Sequence, residues 1–195
     1  MNPLLTLCLG LALFLGTHSI RIFADDWRTA MVKQLGEWPW KGIVAVVSLA
    51  GFYLLVTGFG AARLEPVVLW ASPTWMRHLV ALLTIPAFIL AIAAYVPGNL
   101  IKARIGHPLL AATKIWALAH LMANGRLADV LLFGSFLLWA AFCFRSARRR
   151  DKAEGRSYPV GALWRTLVPV FVGLAVWGDF AMHLHGVLIG VRPFR

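Results

Sequence analysis

Residues Gly42 to Ala62 read GIVAVVSLAGFYLLVTGFGAA, an unbroken stretch without a charged side chain. A hydrocarbon core of ~30 Å needs ~20 helical residues, so this stretch predicts a membrane span. Its apolar residues surround the helix instead of forming one stripe, which excludes the surface helix of a soluble domain. Working outward, five more runs of this kind appear: Pro3–Ile22, Leu79–Val96, Pro108–Met122, Leu127–Phe144 and Thr166–Val191. The expected fold is therefore all-α: an integral membrane protein, one domain over residues 1–195, with a single bundle of about six transmembrane helices.

Composition agrees. The chain is 60% hydrophobic and only 14% charged, well below the charge of a soluble domain. No polar, Pro-rich or Ser-rich stretch marks a linker, and there is no internal repeat. The first run lacks a basic leader, and His18-Ser19-Ile20-Arg21 is a poor cleavage site, so it is expected to be a retained helix. Asn124-Gly125 is a turn dipeptide that makes the fourth and fifth runs a helical hairpin. Pro86 and Pro169 fall inside runs, where membrane helices accept them with a kink.

The net charge of +11 raises the question of nucleic acid. Position argues against it, because the basic residues flank apolar runs instead of building a basic face. Thirteen Lys and Arg fall in the first, third and fifth connections. Five fall on the opposite side (Arg63, Arg77, Arg126, Arg192 and Arg195), and Lys114 lies within a run. The positive-inside rule then places both termini outside. Trp27, Trp38, Trp40, Trp70, Trp75 and Trp164 fall at the edges of runs, as an interfacial belt does. Residues 63–78 are expected along the outer interface. The basic loop Arg145–Arg156 is expected to fix orientation and contact anionic lipid, making membrane lipid a partner. Cys8 and Cys143 are predicted on opposite faces, which excludes a disulfide between them.

Chemistry has few candidates. His18 and His120 lie inside apolar runs, and an ionisable residue there is expensive. His18 and Arg21 are three apart and share a helix face. Trp116, His120 and Asn124 form one strip on the fourth run, which also carries Lys114. The plainer readings are an interfacial His18, a His120 bonded to a neighbouring helix and a snorkelling Lys114. Asp179 and His183 are four apart, the spacing of a buried pair or a proton relay. His78, His107 and His185 need no special role. No CxxC, CxxCH or HExxH is present, and no catalytic residue can be named.

Two stretches resemble the NnrU family of bacterial membrane proteins. They are Leu13-Phe14-Leu15-Gly16-Thr17-His18-Ser19, and His107-Pro108 followed by Lys114-Ile115-Trp116-Ala117-Leu118-Ala119-His120-Leu121-Met122-Ala123-Asn124-Gly125. The resemblance implies the bacterial inner membrane and an association with nitrite and nitric oxide metabolism (denitrification). Its implied partners are redox or nitrogen-oxide-reducing membrane proteins. The chain is also similar to the 15-cis-zeta-carotene isomerases, membrane enzymes that use haem b to isomerise a cis double bond. That similarity implies haem b with His18 and His120 as iron ligands. Arg21 would then be a propionate partner, and Trp116 and Asn124 would line the pocket. The isomerases carry a further cysteine ligand three residues before the second histidine. Ala117 stands there in this chain, so that ligand switch is absent.

Helical rise puts His18 ~22 Å and His120 ~12 Å below the outer face of the core. Tilt can close this ~10 Å gap; otherwise His120 pairs with His183, His185 or His78. Two rival functions stand beside haem binding in denitrification. One is a haem-dependent cis-trans polyene isomerase, the other a cofactor-free accessory or proton-handling protein.

Overall fold

A computed structural model describes residues 2–194; Arg195, counted above for orientation, lies outside them. The helices are α1 (Pro3–Phe23), α2 (Asp25–Leu35), α3 (Glu37–Ala62), α4 (Met76–Ala93), α5 (Leu100–Ile105), α6 (Pro108–Ala123), α7 (Leu127–Ala153), α8 (Trp164–Asp179) and α9 (His185–Ile189). A π-helical turn, Phe180–Leu184, joins the last two, so Trp164–Ile189 runs as one apolar helix. Among the described residues five helices are long and apolar enough to cross a membrane: α1, α3, α4, α7 and the Trp164–Ile189 helix. The expected all-α membrane fold is thus observed. The expected fourth span, α6, has 16 residues. At 1.5 Å per residue it covers ~24 Å, less than a full hydrocarbon core.

Local chemistry explains the boundaries. The Asn2 side chain accepts from the Leu4 and Leu5 amides (2.9 and 3.4 Å), and Pro3 and Pro108 each open a helix where a missing N–H costs nothing. The third run stops at Ala93, three residues before its expected end. Asn99, fully buried, donates from Nδ2 to the carbonyls of Ala93 (2.9 Å) and Val96 (2.5 Å) and accepts from the Lys102 amide (2.7 Å). This side chain ends α4 and caps α5, an element that hydropathy did not reveal. The short α2 was also unanticipated; Trp27 and Trp40 tie it to α3 with rings 5.5 Å apart.

The region expected as a basic loop is mostly helix. α7 continues nine residues past Phe144 to Ala153. Arg, Ala and Lys favour helix, and cations near its C-terminus suit the exposed carbonyls there. Arg156 donates its amide to the Asp151 carbonyl (2.8 Å) after the turn at Gly155 (φ +60°).

The chain divides into two compact units, Met1–Trp70 with Arg126–Trp139 and Ala71–Gly125 with Ala140–Arg195. α7 contributes to both. In the first unit α1 packs on α3 with backbones in close approach. A Cβ added at Gly51 would lie 2.7 Å from the Phe14 amide, and one at Gly10 would meet the backbone of Leu55. Leu7, Leu11, Leu15 and Leu55 are buried along this seam. Small residues at such seams let membrane helices pack without a hydrophobic drive between them. Residues 67 and 68 pair with the start of α7: the Leu127 amide donates to the Val67 carbonyl (2.8 Å), beside an isolated Val68–Arg126 bridge.

In the second unit α4 packs against both α6 and α8. A Cβ at Gly173 would lie 2.7 Å from the Ile89 Cα, and the Trp177 indole donates to the buried Thr84 hydroxyl (3.0 Å). Both cysteines are free; Cys143 is buried and Cys8 exposed.

Candidate functional site

In the first unit the last turns of α1 present His18. Its Nδ1 donates to the Phe14 carbonyl one turn back (2.7 Å). In the neutral ring that bond leaves the lone pair on Nε2. The imidazole also lies 4.5 Å from the Phe14 ring and 6.3 Å, edge-on, from the Trp139 ring. Thr17 bonds across to Ser48 of α3 (3.1 Å), so α3 fixes the turn on which His18 sits. The buried Nε1–H of Trp139 has no acceptor among the described residues, although a buried indole N–H normally finds one. Arg21, on the same helix, is exposed.

In the second unit α6 presents His120 in the same way. Its Nδ1 donates to the Trp116 carbonyl (2.8 Å), and the two rings are 5.2 Å apart. Asn124 ends the helix by donating from Nδ2 and from its amide to the His120 carbonyl (2.8 and 3.0 Å). The predicted strip of Trp116, His120 and Asn124 is therefore formed. Asn124 supports it by holding the helix terminus. Lys114 sits with Nζ 3.9 Å from the centre of the Phe144 ring, a cation–π contact. Ala117 is fully buried.

The donor set of each half fits haem iron. Nitrogen from imidazole is a standard axial ligand, and a second hydrogen bond that fixes the tautomer is its usual support. No group of three or more His, Cys, Asp or Glu that could hold a bare metal ion occurs among the described residues. Haem iron needs at most two protein ligands, because the porphyrin supplies four nitrogens.

The third candidate departs from expectation. His183 Nδ1 and Asp179 Oδ1 do meet (3.2 Å), but their side chains are 75% and 59% exposed. They form a pair, not a buried one. The π-turn that begins at Phe180 carries His183 on an outward face. The buried membrane acid is instead Asp129 in the first turn of α7, 4% exposed, with one carboxylate oxygen lacking a hydrogen-bond partner among the described residues and the charges of Arg126 and Arg63 nearby. Hydropathy hides it, since one acid at the edge of an apolar run barely changes the average. His185, given no role, donates from Nδ1 to the Val191 carbonyl (2.6 Å) and lies within electrostatic range of His120.

His107, expected to need no special role, anchors a cluster. Its Nε2 donates to Asp151 Oδ2 (2.8 Å), and the Tyr158 hydroxyl donates to the same oxygen (3.0 Å). Burial and this bond to a carboxylate push the Tyr158 hydroxyl above its ordinary pKa. The sequence signal was an acid, Asp151, set among cations at the end of a helix.

No curated protein and no solved structure matches the chain at a significant level. The sequence profile of the NnrU family, described as NnrU protein, matches residues 6–193. That match takes in α1, α6 and both motif histidines and covers almost all of the sequence. The chain belongs to the NnrU family.

Proposed function

We propose that this NnrU-family membrane protein binds b-type haem, with His18 and His120 as the residues that would ligate its iron, and serves nitrite and nitric oxide metabolism in the bacterial inner membrane. One observation carries the reading: both histidines give Nδ1–H to the carbonyl four residues earlier, at 2.7 and 2.8 Å. Each imidazole is thus held in the tautomer that offers Nε2 to a metal. When bound, the haem would supply an iron able to accept and pass on one electron. The chain's own part is to orient two imidazoles, to neutralise a propionate with Arg21 and to offer the Trp139 indole N–H to an acceptor beside His18. Titrating the purified protein with haemin tests this. Saturable binding with a low-spin spectrum is expected; no saturable Soret change refutes it.

A second ligand choice has an observation of its own. His185 also donates Nδ1–H to a carbonyl and lies near His120 within one unit. If His120 pairs with His185, His185→Ala abolishes the low-spin spectrum and His18→Ala leaves it unchanged. The His18 reading predicts the reverse.

A further inference from the structure

The end of α7 and the turn after it enclose an open pocket of ≈ 690 Å³ lined by Phe144, Arg145, Arg148, Arg149, Lys152 and Arg156, with Asp151 and Gly155 completing it. Arg145, Arg148, Arg149 and Lys152 follow the i, i+3, i+4, i+7 spacing of one helix face, and Arg156 joins them from the turn. Five cations and a single carboxylate therefore line one pocket.

The bland alternative is a solvated basic face. Two features separate this pocket from one. First, Asp151 is 7% exposed and is held by His107 and Tyr158. The same carboxylate lies 3.8 Å from Arg148 Nη1 and 3.9 Å from Arg156 Nε. Two of the guanidinium groups are thus steered by a fixed anchor, although Arg156 also pairs with exposed Glu154 (2.8 Å). Gly106 leaves the room for this: a Cβ there, at φ +78°, would lie 2.7 Å from Arg148 Nη1 and 3.2 Å from Tyr158. Second, the pocket has a defined depth. Leu127–Phe144 spans ~27 Å of apolar helix and Arg145–Ala153 adds ~13 Å, which brings this end into the headgroup layer of a bilayer ~40–45 Å thick. Phe144 forms the apolar edge of the pocket where acyl chains begin.

We propose that this pocket binds the phosphate of an anionic phospholipid headgroup, with Arg148 and Arg156 as the positioned ligands. Planar guanidinium groups suit phosphate oxygens, and the remaining cations neutralise the lipid charge.

The test uses the full chain in neutral detergent, titrated with short-chain phosphatidylglycerol and followed by native mass spectrometry. Saturable binding of one lipid is expected. Arg148→Gln/Arg156→Gln should weaken it about tenfold or more, judging by the usual contribution of a basic residue near a membrane surface. The charge-matched control Lys33→Gln/Arg77→Gln should stay within about twofold. Asp151→Asn raises the local positive charge while removing the anchor. A built site then binds more weakly, whereas a diffuse field binds as well or better. Equal losses in both double variants, binding by Asp151→Asn as tight as or tighter than the wild type, or no saturable binding overturns the proposal. Competition by inorganic phosphate at the same concentration as lipid assigns the pocket to a soluble phosphate and overturns the lipid assignment. If Asp151→Asn does not fold, the comparison of the two double variants decides.

Discussion

His120 and Trp116 are bound to each other twice. The imidazole Nδ1 donates to the Trp116 carbonyl at 2.8 Å, and the two rings lie 5.2 Å apart. His18 and Phe14 repeat the relationship on α1 at 2.7 Å and 4.5 Å. The motif histidines of this family member thus share one local device, an aromatic residue four positions earlier that supplies both the carbonyl and the ring. The spacing four apart makes this possible, because those residues stack on one helix face.

The α1–α3 seam should not accept side chains. A Cβ at Gly51 meets backbone of Phe14 at 2.7 Å, and Gly10 is crowded by Leu55. Gly51→Val is expected to lower stability by about 3 kcal/mol or more, since overpacking alone costs roughly 1–3. Gly16→Ala, whose Cβ would meet no neighbouring helix within 4 Å among the described residues, should not destabilise. Thermal unfolding in detergent checks both.

Asn99→Ala is expected to cost about 2–3 kcal/mol. It removes the cap of α5 and leaves the Ala93 and Val96 carbonyls without their buried donor. Denaturant unfolding of this variant beside Lys102→Ala separates the amide's role from that of the amine, which donates to Ala94 (2.8 Å).

The span pattern was legible because a run such as Gly42–Ala62 leaves no alternative to a membrane helix. The start of α6 at Pro108 and the strip His120 occupies followed from helix periodicity and from the rule for proline at helix starts. What averaging obscures are single polar side chains that act at a distance in sequence. Asn99 reaches back to Ala93, and Asp151 reaches His107, 44 residues away. Asp129 and Asp179 show the same limit from the other side. Spacing identified a carboxylate–histidine pair at Asp179, but only packing shows that it faces outward while Asp129 is buried.

Tyr158 should titrate above the ordinary tyrosine value of about 10, because burial and the bond to Asp151 favour the neutral phenol. The folded state holds this proton more tightly than the unfolded one. Its stabilising contribution is therefore complete below pH about 10 and fades as pH rises through the elevated folded value. Ultraviolet difference titration of the wild type against Tyr158→Phe should show that the phenol removed ionises above the ordinary value of about 10. A titration in which Tyr158→Phe loses an early-ionising phenol contradicts the Asp151 cluster.

The haem proposal requires that the imidazoles of His18 and His120, each held by the carbonyl one turn back, ligate haem iron. Its most direct test is the absorption spectrum, oxidised and dithionite-reduced, of haem-supplemented wild-type, His18→Ala and His120→Ala proteins. The account predicts a low-spin Soret band and sharp reduced α band in the wild type, with each single variant losing the low-spin form. A colourless wild-type protein, or a low-spin spectrum that survives in both variants, would contradict it.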